Sequence, residues 1–417
     1  MKGVTFRISV PRYVVARSLG RLSFSFLTGR LSGLRFEDVE APTLPGPDWV
    51  KLDVIACGVC GSDLSTLRYT GSPAMEPFSS FPAVLGHEIL GRVSEVGPGV
   101  TNLIPGQRVV VDPMISCTAR GFSVEESCVA CTAGRHATCA RAGEDGLTEV
   151  AGRQLSAGLT IGYHRDLPGG WGEHVIAHES QVFGVPDELS DNAAVLTEPL
   201  AVALHAVLGN PPSPEDSVLV IGSGAIALGT VWALRATGFE GSVLAQVRRP
   251  HERQLAMALG ASRAIEPGPE ARQVLIDTGA SAYLPPIGPE VFSGGGFSLV
   301  FDCVGSPASL DQAFRYAALR GRVVLEGCAS HARDLDLTFL WARELMVQGS
   351  LGYGREEWQG SARHTFELVH EFLVQGQAPV EKMVTHVFPL SEYRDALRTA
   401  GNHAGSGAIR VVLRPRD

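Results

Sequence analysis

The sequence predicts an α/β protein in two parts, an irregular β barrel and a doubly wound parallel sheet. Three observations predict it. Residues 84–97 and 106–113, V-L-G-H-E-I-L-G-R-V-S-E-V-G and G-Q-R-V-V-V-D-P, are strand text punctuated by glycine, as in a barrel rather than in strand-helix-strand units. From Ser217, S-V-L-V-I-G-S-G-A-I-A-L-G-T-V-W-A-L-R-A-T-G joins an apolar run to a glycine turn and a helix. Strand and helix patterns then alternate through S-V-L-A-Q-V, H-E-R-Q-L-A-M-A-L-G-A, F-S-L-V-F-D-C-V-G and G-R-V-V-L-E-G, the order of a parallel sheet.

The 417 residues exceed one compact core and suit about two domains. Hydrophobic residues at 45% against 19% charged give enough apolar surface for a globular fold rather than a disordered chain. A net charge of -9 argues against nucleic acid or an anionic membrane as partner. No apolar run reaches spanning length, so no membrane segment is expected. Eight cysteines without a secretory signal point to a reducing, cytoplasmic location, where thiols bind metal more often than they pair.

Met1 to Phe36 carries seven basic residues and no acid, a composition like that of a transit peptide. Pro11 and several glycines interrupt any cleavable helix, so Val4 to Val10 is read as a first strand followed by extra chain before Leu34. L-R-F-E-D-V and W-V-K-L-D-V alternate apolar and polar residues, giving two strands between Leu34 and Asp53.

Out of the second strand comes C-G-V-C-G-S-D, from Cys57 to Asp63, and later G-H-E, from Gly86 to Glu88. A thiolate at Cys60 and an imidazole at His87 are the ligand types a Zn²⁺ ion takes where one position stays open for substrate. Asp63, Glu88 and Glu198, which opens E-P-L, are carboxylates able to complete such a shell or to fix its imidazole. Cys57 is read as a buried small residue, and Ser62 is suited to cap a helix starting near Leu64.

Cys117, Cys128, Cys131 and Cys139 follow in a Gly- and Ser-rich stretch. Four thiolates so spaced make a closed tetrahedral site, which is structural zinc. A helix is expected to begin near Ser190 and to carry Glu198.

In the glycine turn, Gly222, Ser223, Gly224, Ala225 and Ile226 bring backbone toward a pyrophosphate at a helix N-terminus. The next strand ends in Gln246-Val247-Arg248-Arg249, where an acid would hydrogen-bond the ribose of NAD(H). Its absence, with Arg248 and Arg249 placed for a 2′-phosphate, favours NADP(H) over NAD(H). Cys303, Val304 and Gly327 end two further strands, where ligands sit in open sheets of this kind. Residues 280–296, rich in Pro and Gly, are read as a loop insertion.

Taken in order, C-G-x-C-G-S-D, G-H-E, the four-cysteine lobe, E-P-L and G-x-G-x-x-A resemble the zinc-dependent medium-chain dehydrogenases, the alcohol and polyol dehydrogenase superfamily, from about Leu34 to Leu413. The resemblance implies a GroES-like barrel over 1–199, with an extension over about 1–33, a Rossmann domain over 200–350 and a return to the barrel over 351–417. It implies hydride transfer between a nicotinamide and a secondary alcohol or polyol or its carbonyl counterpart, and assembly as a dimer or tetramer. Glu198 falls where the family's third ligand falls, with Glu88 as the other candidate, and Asp63 is expected to orient His87. Ser62 matches the first link of the family's proton relay. Ser65 stands where a histidine often continues it.

The first two cysteines of the lobe are farther apart than usual, so Arg120 to Ser127 is taken as an insertion. Two competing functions remain on this scaffold: reduction of an activated double bond or imine, and a non-catalytic nucleotide-binding protein. Zinc content and alcohol-dependent cofactor reduction separate them.

Overall fold

The computed structural model describes residues 1–20, 22–143 and 148–416, and the chain divides into two compact units. The first comprises Met1–Glu198, Tyr353–Val374 and Val384–Asp417, and the second Pro199–Gly352 and Gln375–Met383.

In the first unit, strand Trp49–Val59 is central. It pairs antiparallel with Ile89–Val96, with His174–His178 and with Arg410–Arg414. Arg108–Val111 and Val182–Gly184 extend the sheet on one side, and Val384–Pro389 lies parallel to the C-terminal strand on the other. Trp49, Val50, Leu52 and Val54 are fully buried against Val93, Val109, Val111 and Trp171, which explains the apolar text of these strands.

The opening strand is Lys2–Phe6 and ends four residues earlier than the sequence suggests, because Pro11 starts helix Val10–Leu19. It pairs antiparallel with Leu34–Asp38, Lys2 facing Asp38 and Phe6 facing Leu34. The extra chain expected before Leu34 thus lies, in sequence, between the two paired strands.

Among the described residues the second unit holds a six-stranded parallel sheet, ordered Arg263–Ile265, Val243–Gln246, Val218–Ile221, Phe297–Asp302, Ala317–Leu325, Met346–Gly349. Numbered along the unit this order is 3-2-1-4-5-6, the doubly wound arrangement whose reversal point lies beside the first strand. Val218 to Ile221 are all buried, as a strand covered on both faces requires. The stretch over 280–296 is not a bare loop: Ser281–Tyr283 and Val291–Ser293 pair as a hairpin.

Candidate active site and metal centres

Strand Trp49–Val59 ends at a helix, Gly61–Arg68, whose N-cap is Cys60. The expected start near Leu64 is thus three residues late, and Ser62 lies inside the helix rather than capping it. Asp63, fully buried, accepts the backbone N–H of Cys60 on Oδ2 at 2.8 Å, so the helix start and the thiol are fixed together.

Two glycines make room for the other groups. Gly86 has φ +95°, and a Cβ there would overlap the Trp171 indole, so only glycine turns the chain into His87. At Gly58 a Cβ would overlap Oε2 of Glu88. The glycine of C-G-V-C is therefore the space into which Glu88 projects.

The ligand atoms of Cys60, His87 and Glu88 all lie within 4.8 Å of one another. Glu198, the other candidate, falls outside that group. It sits in the first turn of helix Thr197–Gly209, preceded by the separate short helix Asp191–Ala194 that Ser190 caps, so the single helix expected from Ser190 is two. Tyr353 donates to Glu198 Oε1 at 3.2 Å. Burial, and next the negative charge of Glu88, push the Glu198 pKa up to about 7.

Glu88 Oε1 accepts a 2.7 Å charge-assisted bond from buried Arg410, which also donates to the Val59 carbonyl at 3.0 Å. Glu88 Oε2 and His87 Nδ1, both buried, have no hydrogen-bond partner among the described residues. Burial would depress the His87 pKa, yet Asp63 and Cys60 raise it well above the usual value. A thiol, an imidazole and one carboxylate thus converge, with a carboxylate oxygen left unpartnered among the described residues. Such a donor set calls for a divalent cation, and zinc fits it. Cys57 is free, buried and has its pKa raised well above the usual value by burial and by Glu88, so it is an inert neighbour.

Cys117, Cys128, Cys131 and Cys139 also bring their sulfurs within 4.8 Å of one another. Cys117 and Cys139 sulfurs stand 3.7 Å apart, close to the edge of about 3.8 Å that tetrahedral Zn–S bonds of about 2.3 Å span. Backbone N–H groups of Cys117, Cys128 and Cys131 point at the sulfurs of Cys131, Cys117 and Cys128, at 3.4, 3.4 and 3.5 Å. A hydrogen bond from Cys131 chiefly holds Cys139 down to about 5, against the effect of burial. The donors fit a closed thiolate site. The lengthened segment after Cys117 folds back, burying Arg120, whose guanidinium donates to the Gly158 carbonyl.

A third group, Asp112, His136 and His364, has metal-ligand chemistry that the sequence reading missed. Its hydrogen bonds argue otherwise. His364 Nδ1 accepts the Phe366 N–H at 3.2 Å, so the ring proton lies on Nε2, which donates to Asp112 Oδ2 at 3.1 Å. With both ring nitrogens used, this is a structural Asp–His pair stacked on Phe183 at 4.3 Å.

In the second unit, Gly222 follows the first strand at φ +134°, and a Cβ there would press on Ala227 at 3.1 Å and Val304 at 3.3 Å. Gly224 caps helix Ala225–Ala236 and has open space where a side chain would be. Ser223 and Ile226 are half-buried in this turn. Gly305 and Gly327 meet backbone to backbone, since a Cβ on Gly327 would overlap the Gly305 nitrogen. Val304 is exposed at this edge, whereas Cys303 turns inward, 3.5 Å from Glu326 and 3.7 Å from Thr230.

Gln246, ending the second strand, is tied by reciprocal amide bonds to Gln312 at 2.9 and 2.6 Å. Arg249 is bound to Glu252 at 2.6 Å, while Arg248 is exposed and, among the described residues, bonds only through its backbone N–H, donating to Glu252 at 2.9 Å. The two arginines expected to act together are therefore unequal.

Residues 46–187 match the alcohol dehydrogenase GroES-like domain, and residues 225–367 match the zinc-binding dehydrogenase family. Over 92% of its length the chain is 30% identical to a probable diacetyl reductase [(R)-acetoin forming] of Saccharomyces cerevisiae, of which it covers 88%. It is equally 30% identical to a sorbitol dehydrogenase of Arabidopsis thaliana, covering 92% of this chain and 93% of that one. Among solved structures, a zinc-binding dehydrogenase from Sinorhizobium meliloti bound to NADP superimposes with a TM-score of 0.70 at 26% identity, covering 99% of both chains. The chain belongs to the zinc-dependent medium-chain dehydrogenase superfamily. Within it, this is a zinc- and nicotinamide-dependent oxidoreductase of the alcohol and polyol type.

Proposed function

We propose that Cys60, His87 and Glu88 hold the catalytic zinc, with Glu198 beside it as an exchangeable carboxylate, and that Cys117, Cys128, Cys131 and Cys139 hold a structural one. The observation that carries this reading is the convergence of Cys60, His87 and Glu88 within 4.8 Å, with Glu88 Oε2 lacking any partner among the described residues. A zinc ion bound there supplies Lewis acidity that polarises the substrate C–O bond, and a nicotinamide supplies or accepts the hydride.

The chain's own residues do the rest. Arg410 holds Glu88 by one oxygen, and the other is left without a hydrogen-bond partner among the described residues. Asp63 fixes the ligand cysteine through its N–H and lies 3.6 Å from His87 Nδ1, where it sets the imidazole's orientation. Ser62 offers the hydroxyl that takes the alcohol proton.

Gly222, Ser223, Gly224, Ala225 and Ile226 form the turn for the pyrophosphate, and Val304 and Gly327 the sheet edge for the nicotinamide. Cys303 supports that edge from behind. NADP(H) is favoured because Gln246 stands where a carboxylate would meet the ribose, and the Arg248 guanidinium has no partner among the described residues. The relatives' names point to a vicinal diol, polyol or hydroxy ketone as substrate. A cytoplasmic, homo-oligomeric enzyme fits the free cysteines and the family resemblance, and light scattering reads the assembly.

The test is metal content together with a panel of secondary alcohols, polyols and their carbonyl partners against both nicotinamides. About two zinc per chain and alcohol-dependent reduction, with kcat/KM higher for NADP⁺, is the expected result. Zinc without turnover on any of them overturns the catalytic reading, and a clear NAD⁺ preference overturns the cofactor assignment.

A further inference from the structure

The Cys60 helix has one partner that the mechanism has not used, a tyrosine a hundred residues away from Asp63. Tyr163 follows Gly162, which has φ +89° and packs so closely on Gly86 that a Cβ would overlap the Gly86 carbonyl oxygen. Gly86 is itself the residue before His87, so the two glycines set Tyr163 beside the imidazole, with ring centroids 5.4 Å apart. Its backbone is held by a Thr160 carbonyl at 3.1 Å and by the Ser80 N–H at 2.9 Å.

The phenol bridges two residues of the site. It donates to Asp63 Oδ1 at 2.6 Å, and the Ser62 hydroxyl lies 3.2 Å away, on the oxygen that remains to accept. Asp63 is thereby pinned on both oxygens, Oδ2 by the Cys60 N–H at 2.8 Å and Oδ1 by Tyr163, so its carboxylate plane cannot turn. The spare lone pair of Oδ1 is what faces His87 Nδ1, at 3.6 Å. Ser65, three residues beyond Ser62, has no side chain able to serve as an imidazole link, whereas Tyr163 reaches Ser62 from outside the helix.

We propose that Tyr163 is a positioning residue of this enzyme, which sets the Ser62 hydroxyl toward substrate and locks Asp63 so that it orients the metal-binding His87. The assignment rests on the proposed zinc reading of Cys60, His87 and Glu88. It involves no change in bonding at Tyr163 itself. Removing only the phenol oxygen frees both partners while keeping the ring against His87.

The experiment compares zinc-loaded wild type with Tyr163→Phe, Ser62→Ala and the double variant. Zinc transfer to a chromogenic chelator is followed well below the thermal transition of each protein, and a Cys60→Ser protein identifies the catalytic-site phase. In Tyr163→Phe that phase runs about tenfold faster, in line with the effect of residues that orient metal ligands. Its kcat falls about tenfold with KM within threefold, and the double variant is no slower than Ser62→Ala alone, because the phenol acts on turnover through Ser62. Zinc release and kcat both within twofold of wild type in Tyr163→Phe overturn the proposal. A wild type that holds no zinc in the Cys60 phase overturns the zinc reading instead, so the two failures are distinct.

Discussion

At the residue scale the decisive contrast is between two carboxylates of one sequence. Glu88 is held by Arg410 at 2.7 Å in full burial, whereas among the described residues Glu198 is bonded only by the Tyr353 hydroxyl at 3.2 Å. Replacing Glu88 by Gln strips the Arg410 guanidinium of its counter-charge, an effect of about 3 kcal/mol for a buried pair. Denaturant unfolding should show that loss, and metal analysis should show one zinc fewer. Glu198→Gln has no buried cation to abandon, so it should unfold within about 1 kcal/mol of wild type. Arg248 poses the second residue-scale question. A charge-assisted phosphate contact of about 1.4 kcal/mol equals a tenfold preference. Arg248→Ala should therefore lower the NADP⁺ to NAD⁺ ratio of kcat/KM about tenfold, and Arg249→Ala much less, since Arg249 is already spent on Glu252.

At the scale of elements, the end of the parallel sheet hides a carboxyl that the mechanism leaves unused. Glu326 follows strand Ala317–Leu325, with the Thr230 hydroxyl 3.1 and 3.2 Å from its two oxygens and the Cys303 thiol at 3.5 Å. Burial pushes its pKa from the ordinary 4.5 up to about 8. The folded chain thus holds a proton that the unfolded chain gives up, and native stability is full below about 4.5 and falls as pH rises through about 8. Glu326→Gln removes that dependence. Between pH 5 and pH 9 its stability relative to wild type should rise by on the order of 4 kcal/mol, read as the difference between denaturant midpoints. A constant difference across that range would show that Glu326 stays ionised. Elements of this kind were legible in the sequence as strand and helix, because apolar runs and glycine turns are local signals. The hairpin inside 280–296 was not, because each of its strands has only three residues and no alternation long enough to count.

For the whole molecule, the division of labour follows from where the local motifs fall along the chain. The four-cysteine lobe, the Cys60 helix and G-H-E were legible because each is a short run whose residue types alone name a metal. Arg410 on Glu88, Tyr353 on Glu198 and Tyr163 on Ser62 were not, being separated by 322, 155 and 101 positions, distances over which one sequence carries no pairing signal. Both clusters proposed to hold zinc belong to the first unit, and the glycine turn and Arg248 to the second. Metal removal should therefore act in two stages. A mild chelator takes the ion from the Cys60 cluster, where Cys60 is partly exposed, and abolishes turnover with little change in Tm. The four-thiolate site, closed and bonded by three backbone N–H groups, releases its ion only to a stronger chelator or at acid pH, where thiolates are protonated. Tm then falls by several degrees, because an ion bound only by the native state stabilises it by mass action. NADP⁺ affinity, followed by calorimetry on the protein stripped of its first zinc, should stay within threefold of the loaded value. A collapse of NADP⁺ binding together with that first ion would mean that the metal, and not the glycine turn and Arg248, carries most of the cofactor's binding energy.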